Sequence, residues 1–167
     1  MLLYDHLPGI SITASDIRET ILVNLKKRLR LAEIQHIKIQ SADLSDSKSS
    51  ATISGAFNMI LADLPCSGSG TWARNPESLY FFDPNSIEQF HSLQKKILTN
   101  ILPHLKKSGQ LIYITCSVFK KENEEITSFL EKQLGMNLSI QKVLTGYIDR
   151  ADTMFVAKAR SSMVNGH

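Results

Sequence analysis

Two cysteines stand out in this 167-residue chain. Cys66 in "ADLPCSGSG" (62–70) and Cys116 in "LIYITCS" (111–117) each end an apolar run and precede a serine. A thiolate is a strong nucleophile, and a strand-end loop beside helix N-termini can lower a thiol pKa below its free value of about 8.5. A lone strand-end cysteine can equally serve as a small buried hydrophobe, so both readings stand for each residue taken alone. "MLLYDHLPGI" has no basic n-region, and no window approaches the roughly 18 apolar residues of a membrane span. The sequence is therefore expected to be soluble and cytoplasmic, where thiols stay reduced and a Cys66–Cys116 disulfide is not expected. Three carboxylates join the cysteines as candidates: Asp16 in "TASDI", Asp43 in "QSADL" and Asp63 in "ILADLPC". An acidic residue after the second strand of a nucleotide-binding unit can accept both ribose hydroxyls. For Asp16 an N-cap on a helix beginning at Ile17 explains the residue equally well.

These residues need a scaffold that brings strand ends together. Apolar, β-branched runs at Ser11–Ser15, Ile37–Gln40, Phe57–Ala62, Gln110–Thr115, Leu138–Leu144 and Thr153–Ala159 alternate with longer amphipathic segments. That alternation predicts an α/β domain with a mostly parallel sheet. Ligands in such sheets sit outside the carboxyl ends of the strands. Ile17, Ile21, Leu25 and Leu29 form one helical stripe, and Ile87, Phe90, Leu93, Ile97, Ile101 and Leu105 form another. The second helix is expected to start at an Asp83 N-cap before Pro84 and to stop at Gly109. A third is expected over Glu122–Leu134. The last two strands have no helix between them, so the sheet should end in an antiparallel hairpin-like edge. Residues 41–55 read as a polar loop too short to divide two domains, and 167 residues at 43% hydrophobic suit one domain with one core. The net charge of +3 is mildly basic; "NLKKRLR" (24–30), "HLKK" (104–107) and "FKKEN" (119–123) could meet a polyanion, although each reads more readily as a solvated helix face.

Taken together, "ADLPCSGSGTWARNP" and, some fifty residues later, "YITCSVFKKENEE" are far more specific than either cysteine. The chain resembles the RNA cytosine-5 methyltransferases of the Sun/rRNA-methylase family, whose motifs include Asp-x-Pro-Cys-Ser/Thr-Gly-x-Gly and Thr-Cys-Ser. The likeness extends through "RNP" (74–76) and "ENE" (122–124) to "DTMFVAKAR" (152–160), where Thr153 replaces the usual Gly. The resemblance implies a Rossmann-like class I methyltransferase sheet, mostly parallel with an antiparallel last strand. It implies S-adenosylmethionine as methyl donor and RNA, most naturally ribosomal, as substrate. Cytosine C5 is a poor nucleophile until a thiolate adds to C6. By resemblance Cys116 makes that bond, Cys66 serves the release step, and Asp63 hydrogen-bonds the cytosine edge near N3 and N4. Asp16 becomes the ribose ligand, Ile17 packs on the adenine, and Asp43 lies near the adenine amino group. Asp63 and Pro65 also line the cofactor, Pro65 holds its turn, and Gly68 and Gly70 let the backbone approach base or cofactor. A base in paired RNA would have to be flipped or presented in a loop.

The chain departs from the family in having no Cys-Ala-Ala-x-Gly-Gly-Lys loop for the methionine end of the cofactor. "MLLYDHLPGI" reads as the helix that follows that loop, with Leu2, Leu3 and Leu7 on its apolar face. The central first strand, between those ending at Ser15 and Ala62, is expected to be missing, as is an N-terminal RNA-recruiting region. Those two strands would then close up, or a strand-completing dimer would fill the gap, or the piece would be marginally folded. Residues 1–167 are thus expected to be part of a methyltransferase catalytic domain, weak in cofactor binding and catalysis by itself. A degenerate domain that binds RNA or a partner is the competing expectation. A cysteine hydrolase would need a histidine base, and no motif surrounds His36, His91 or His104.

Overall fold

A computed structural model describes residues 9–161, so the expected helix over residues 1–10, with Leu2, Leu3 and Leu7, lies mostly outside the described residues. The chain divides into two compact units, residues 1–54 and 55–167. The boundary falls at the end of the polar stretch 41–55.

In the first unit, β1 (Ile12–Asp16) runs parallel to β2 (Ile37–Ser41), in a register that sets Asp16 beside Ser41. Helix α1 (Glu19–Leu31) connects them and buries Leu22 and Leu29. Its apolar stripe differs from the expected one. Ile17 precedes the helix and is 59% exposed, and Ile21 is exposed while Leu22 turns inward. A single turn of helix, α2 (Ser47–Ser50), interrupts the polar stretch, with the Asp46 carboxylate accepting from the Ser49 N–H at its start.

The second unit is a four-stranded sheet in the order β3-β4-β6-β5, built from β3 (Phe57–Asp63), β4 (Leu105–Thr115), β5 (Met136–Leu144) and β6 (Met154–Ser161). β3 and β4 are parallel, whereas β6 enters antiparallel between β4 and the edge strand β5. The expected hairpin ending is therefore present. β1 is paired by β2 alone and β3 by β4 alone, so each has one edge without a ladder among the described residues.

Helices α3 (Pro76–Tyr80), α4 (Ser86–Ile101) and α5 (Glu124–Lys132) complete this unit. Its core centres on Leu98, Leu111, Tyr113, Ile126, Leu130 and Phe155, all essentially without exposed surface. Each such side chain contributes about 1.5–3 kcal/mol relative to exposure.

Both expected ends of α4 are corrected. Asp83 is not its N-cap: the carboxylate accepts from the Asn85 N–H two residues on, and the helix starts at Ser86. Gly109 is not its stop. The helix ends at Ile101, where residues 102–104 tighten into a 3₁₀ turn around Pro103, which has no N–H to continue the ladder. Leu105, expected on the helical stripe, opens β4 instead. Gly109 sits in a bulge of β4, where Phe57 pairs with Leu105 but Met59 already pairs with Gln110. A Cβ there would lie 2.7 Å from the Lys106 carbonyl oxygen. The third helix starts at Glu124, after a 3₁₀ turn over Lys120–Glu122, rather than at Glu122.

Candidate active site

The parallel β3–β4 pair brings the two cysteine motifs together. Asp63 ends β3 opposite Ile114 of β4, so the segments running on to Cys66 and Cys116 leave one sheet edge side by side. The two sulfurs stand 3.4 Å apart, both free thiols and both half-buried. Two cysteines fifty residues apart in sequence thus form one contact.

That contact divides their acidities. The contact with the Cys66 sulfur lowers the Cys116 pKa to about 7 against opposition from burial and from Asp63 and Asp152. The same contact, together with burial, pushes the Cys66 pKa up. Cys116 is therefore the more acidic thiol of the pair. Partial burial also raises the Asp63 pKa.

Three backbone links knit the site loops. The Gly70 N–H donates to the Cys116 carbonyl at 2.8 Å, the Thr153 N–H donates to the Gly70 carbonyl at 3.0 Å, and the Leu64 N–H donates to the Ile114 carbonyl at 3.2 Å. Arg74 adds a two-pronged ion pair to Asp152, with a closest distance of 2.6 Å. The pair is largely exposed and worth about 0–1 kcal/mol, but it tempers the Asp152 charge that opposes the Cys116 thiolate.

Polar residues to which the sequence assigned no role, two of them in the "ENE" motif (122–124), hold these loops from beneath. Gln94, fully buried on α4, donates to the Pro65 carbonyl at 2.9 Å, and Nδ1 of buried His91 meets the Lys121 carbonyl at 2.6 Å. A carbonyl only accepts, so His91 carries its proton on Nδ1. The buried stripe of α4 is thus His91, Gln94, Ile97, Leu98 and Ile101, rotated from the expected apolar one. Asn123 clasps both sides of Cys116, accepting from the Thr115 hydroxyl at 2.7 Å and donating to the Ser117 carbonyl at 2.8 Å. Glu122 has no exposed surface. It accepts from the Ser67 N–H at 2.7 Å, from the Ser67 hydroxyl at 2.6 Å and from the Ser117 hydroxyl. Polar residues at helical spacing with Ile97 and Ile101, and serines beside both cysteines, are the signals that could have exposed this network.

The expected cofactor residues Asp16, Ile17 and Asp43 belong to the first unit. Asp16 ends β1; its carboxylate accepts from the Arg18 N–H at 2.8 Å and from the Arg18 guanidinium at 2.9 and 3.1 Å. The N-cap reading is therefore corrected: Arg18 occupies the cap position of α1, with no side-chain cap bond. The Arg18 contact holds the Asp16 pKa below its usual range. Asp43, two residues beyond β2, accepts from the Ser45 hydroxyl at 2.7 Å and the Ser45 N–H at 2.9 Å, which lowers its pKa. Pro65 stands exposed between Asp63 and Cys66.

The acidities can be checked directly. Iodoacetamide modification of Cys116 is expected to follow a midpoint near pH 7, with Cys66 reacting more than about tenfold slower at neutral pH. At pH 7 a thiol of pKa 7 is roughly sixteen times more ionised than one of pKa 8.5, but its lower basicity returns roughly fivefold, leaving a rate gain of only about threefold. The position of the pH profile is therefore the decisive reading. Equal profiles for the two cysteines would contradict the division of roles.

The sheet topology and its strand-end site define a Rossmann-like α/β domain of the class I methyltransferase type. More narrowly, the chain belongs to the 16S rRNA methyltransferase RsmB/F family, whose model it matches over residues 6–159. It is 35% identical over 128 residues to Ribosomal RNA small subunit methyltransferase B of Pectobacterium atrosepticum, a match covering 75% of this chain and 29% of that protein. The chain thus spans about three-tenths of the length of that curated relative. The crystal structure of NSun6 from Pyrococcus horikoshii with SFG shares the fold at a TM-score of 0.81 and 20% identity, covering 92% of this chain and 42% of that one. A methyltransferase homolog protein from the same organism gives 0.74 and 22%, covering 90% and 53%. Among the described residues no helix is long and apolar enough to cross a membrane.

Proposed function

We propose that this chain carries the chemical centre of an S-adenosylmethionine-dependent RNA (cytosine-5) methyltransferase acting on ribosomal RNA. The observation that carries the reading is the 3.4 Å contact between Cys66 and Cys116, which leaves the thiolate on the residue of the Thr-Cys-Ser motif. Family membership supports the RNA substrate. The relative solved with SFG, an analogue of S-adenosylmethionine, supports the cofactor.

The chemistry divides among the named side chains. The Cys116 thiolate adds to C6 of the cytosine, and the electron pair moves through the ring toward C5. Asp63, with its raised pKa, hydrogen-bonds the base edge at N3 and favours that shift. S-adenosylmethionine supplies the methyl group as an electrophile. The C5 proton then leaves to a base, the C6–S bond breaks, and the pair returns to the Cys116 sulfur. Cys66, within hydrogen-bond reach of that sulfur, stabilises it as a leaving thiolate.

Asp16, Ile17 and Asp43 suit the cofactor's adenosine. Both carboxylates have lowered pKa values and remain acceptors. The Arg18 side chain now occupying Asp16 is 67% exposed and, screened by solvent, can yield to ribose hydroxyls. Ile17 offers an exposed apolar surface to the adenine ring.

Incubating the full-length protein that carries this chain with RNA containing 5-azacytidine is expected to give a covalent adduct that peptide mapping places on Cys116. No adduct, with Cys116 still alkylated at pH 7, would overturn the reading.

A further inference from the structure

The least exposed acidic side chain of the site, Glu122, accepts three hydrogen bonds and has no ion-pair partner among the described residues. Its donors come from two loops: the N–H and hydroxyl of Ser67, next to Cys66, and the hydroxyl of Ser117, next to Cys116. The clamp extends outward. The Ser117 hydroxyl also accepts from the Phe119 N–H at 3.0 Å, and the Ser69 hydroxyl accepts from the Val118 N–H at 2.9 Å. From the far side the Tyr113 hydroxyl donates to the Glu122 backbone carbonyl. Losing one partner of such a buried cluster leaves the remaining donors uncompensated. One carboxylate therefore ties each cysteine through its immediate neighbour in the chain.

We infer that Glu122 is a positioning residue that fixes the distance between the two thiols. This rests on the methyl-transfer reading for its biological sense, but the geometry itself needs neither RNA nor cofactor. Glu122 does not touch the reacting atoms. It acts through Cys66, whose S–H reaches the Cys116 sulfur only while the two loops are clamped. The other groups facing Cys116 are the carboxyls of Asp63, at the end of β3, and Asp152, in the segment before β6 and paired with Arg74. Neither bonds to Glu122.

The test is the pH profile of Cys116 alkylation in Glu122→Gln and in Ser117→Ala. The first keeps the side-chain volume but removes an acceptor, and the second cuts one arm of the clamp without changing charge. Both are expected to move the midpoint upward by about one pH unit, toward an ordinary thiol. In a Cys66→Ala background, which removes the S–H, Glu122→Gln should move it no further, since two changes acting through one contact are not additive. Thermal unfolding establishes that each variant is folded, and Ser117→Ala decides the matter if Glu122→Gln is not. An unmoved midpoint in the folded variants, or an equal shift with and without Cys66, would overturn the assignment. A failed 5-azacytidine adduct with the shift intact would instead remove the methyl-transfer reading and leave the clamp standing.

Discussion

Cys116→Ala is expected to abolish the covalent adduct with 5-azacytidine RNA, whereas Cys66→Ala is expected to retain it. The asymmetry follows from the single sulfur contact. Only one thiol of a pair 3.4 Å apart ionises readily, because a second negative charge beside the first is opposed by both repulsion and burial. Removing Cys116 removes the thiolate itself, and the expected loss of methyl transfer is about 10³-fold or more, the scale on which losing a catalytic nucleophile is felt. Removing Cys66 leaves the nucleophile but takes away its S–H donor. The Cys116 midpoint should then rise from about 7 toward 8.5, so adduct formation at pH 7 slows by only about threefold, on the same balance of ionisation against basicity. Release should suffer more, because the departing sulfur has lost the group that stabilises it as a thiolate. Cys66→Ala is therefore expected to accumulate adduct on ordinary cytidine RNA supplied with S-adenosylmethionine. Adduct lost in Cys66→Ala and kept in Cys116→Ala, read by gel shift and peptide mapping, would reverse the assignment.

That contact was only partly legible in the amino-acid sequence. The strands could be read because β-branched apolar runs bounded by turn residues leave few alternatives, and the two cysteine motifs announced a shared site. Parallel pairing of β3 with β4 then follows from the α/β alternation. What could not be read was polar and local. Glu122 lies in "KKENEE", where a carboxylate reads as part of a solvated helix face, and its burial follows from two loops arriving from elsewhere. Gln94 and His91 interrupt an apolar stripe, so periodicity rotated the helix away from them, although backbone carbonyls of Pro65 and Lys121 wait at that face. Gly109 looked like a helix stop because it follows "KKS", yet Pro103 had already ended the helix. In each case the deciding partner is distant in sequence. Composition and spacing record a residue's type but not the group that meets it.

The same dependence on a distant partner makes Gly70→Ala the most damaging small substitution expected in the Pro-Cys loop. A Cβ on Gly70 would stand 2.0 Å from the Thr153 carbonyl oxygen and 3.0 Å from that of Cys116. Both are backbone atoms that cannot swing aside. Gly70 also links the segments through its N–H to Cys116 and its carbonyl to Thr153, so relieving the clash strains or breaks both bonds. Overpacking costs about 1–3 kcal/mol and each lost hydrogen bond about 0.5–1.5, which together predict destabilisation of about 3 kcal/mol or more. For a chain of this size that corresponds to a fall in Tm of roughly 6–12 °C. Gly68 is the control. It adopts a positive φ of 72° but has open space around the Cβ position, with only the Thr71 hydroxyl at 3.8 Å. Gly68→Ala should therefore cost only the left-handed backbone penalty of about 1–2 kcal/mol. Because the Gly70 N–H holds the Cys116 carbonyl, Gly70→Ala should also raise the midpoint of Cys116 alkylation. Differential scanning calorimetry that finds Gly70→Ala no less stable than Gly68→Ala would show that the two loops are not packed as tightly as the Gly70 contacts require.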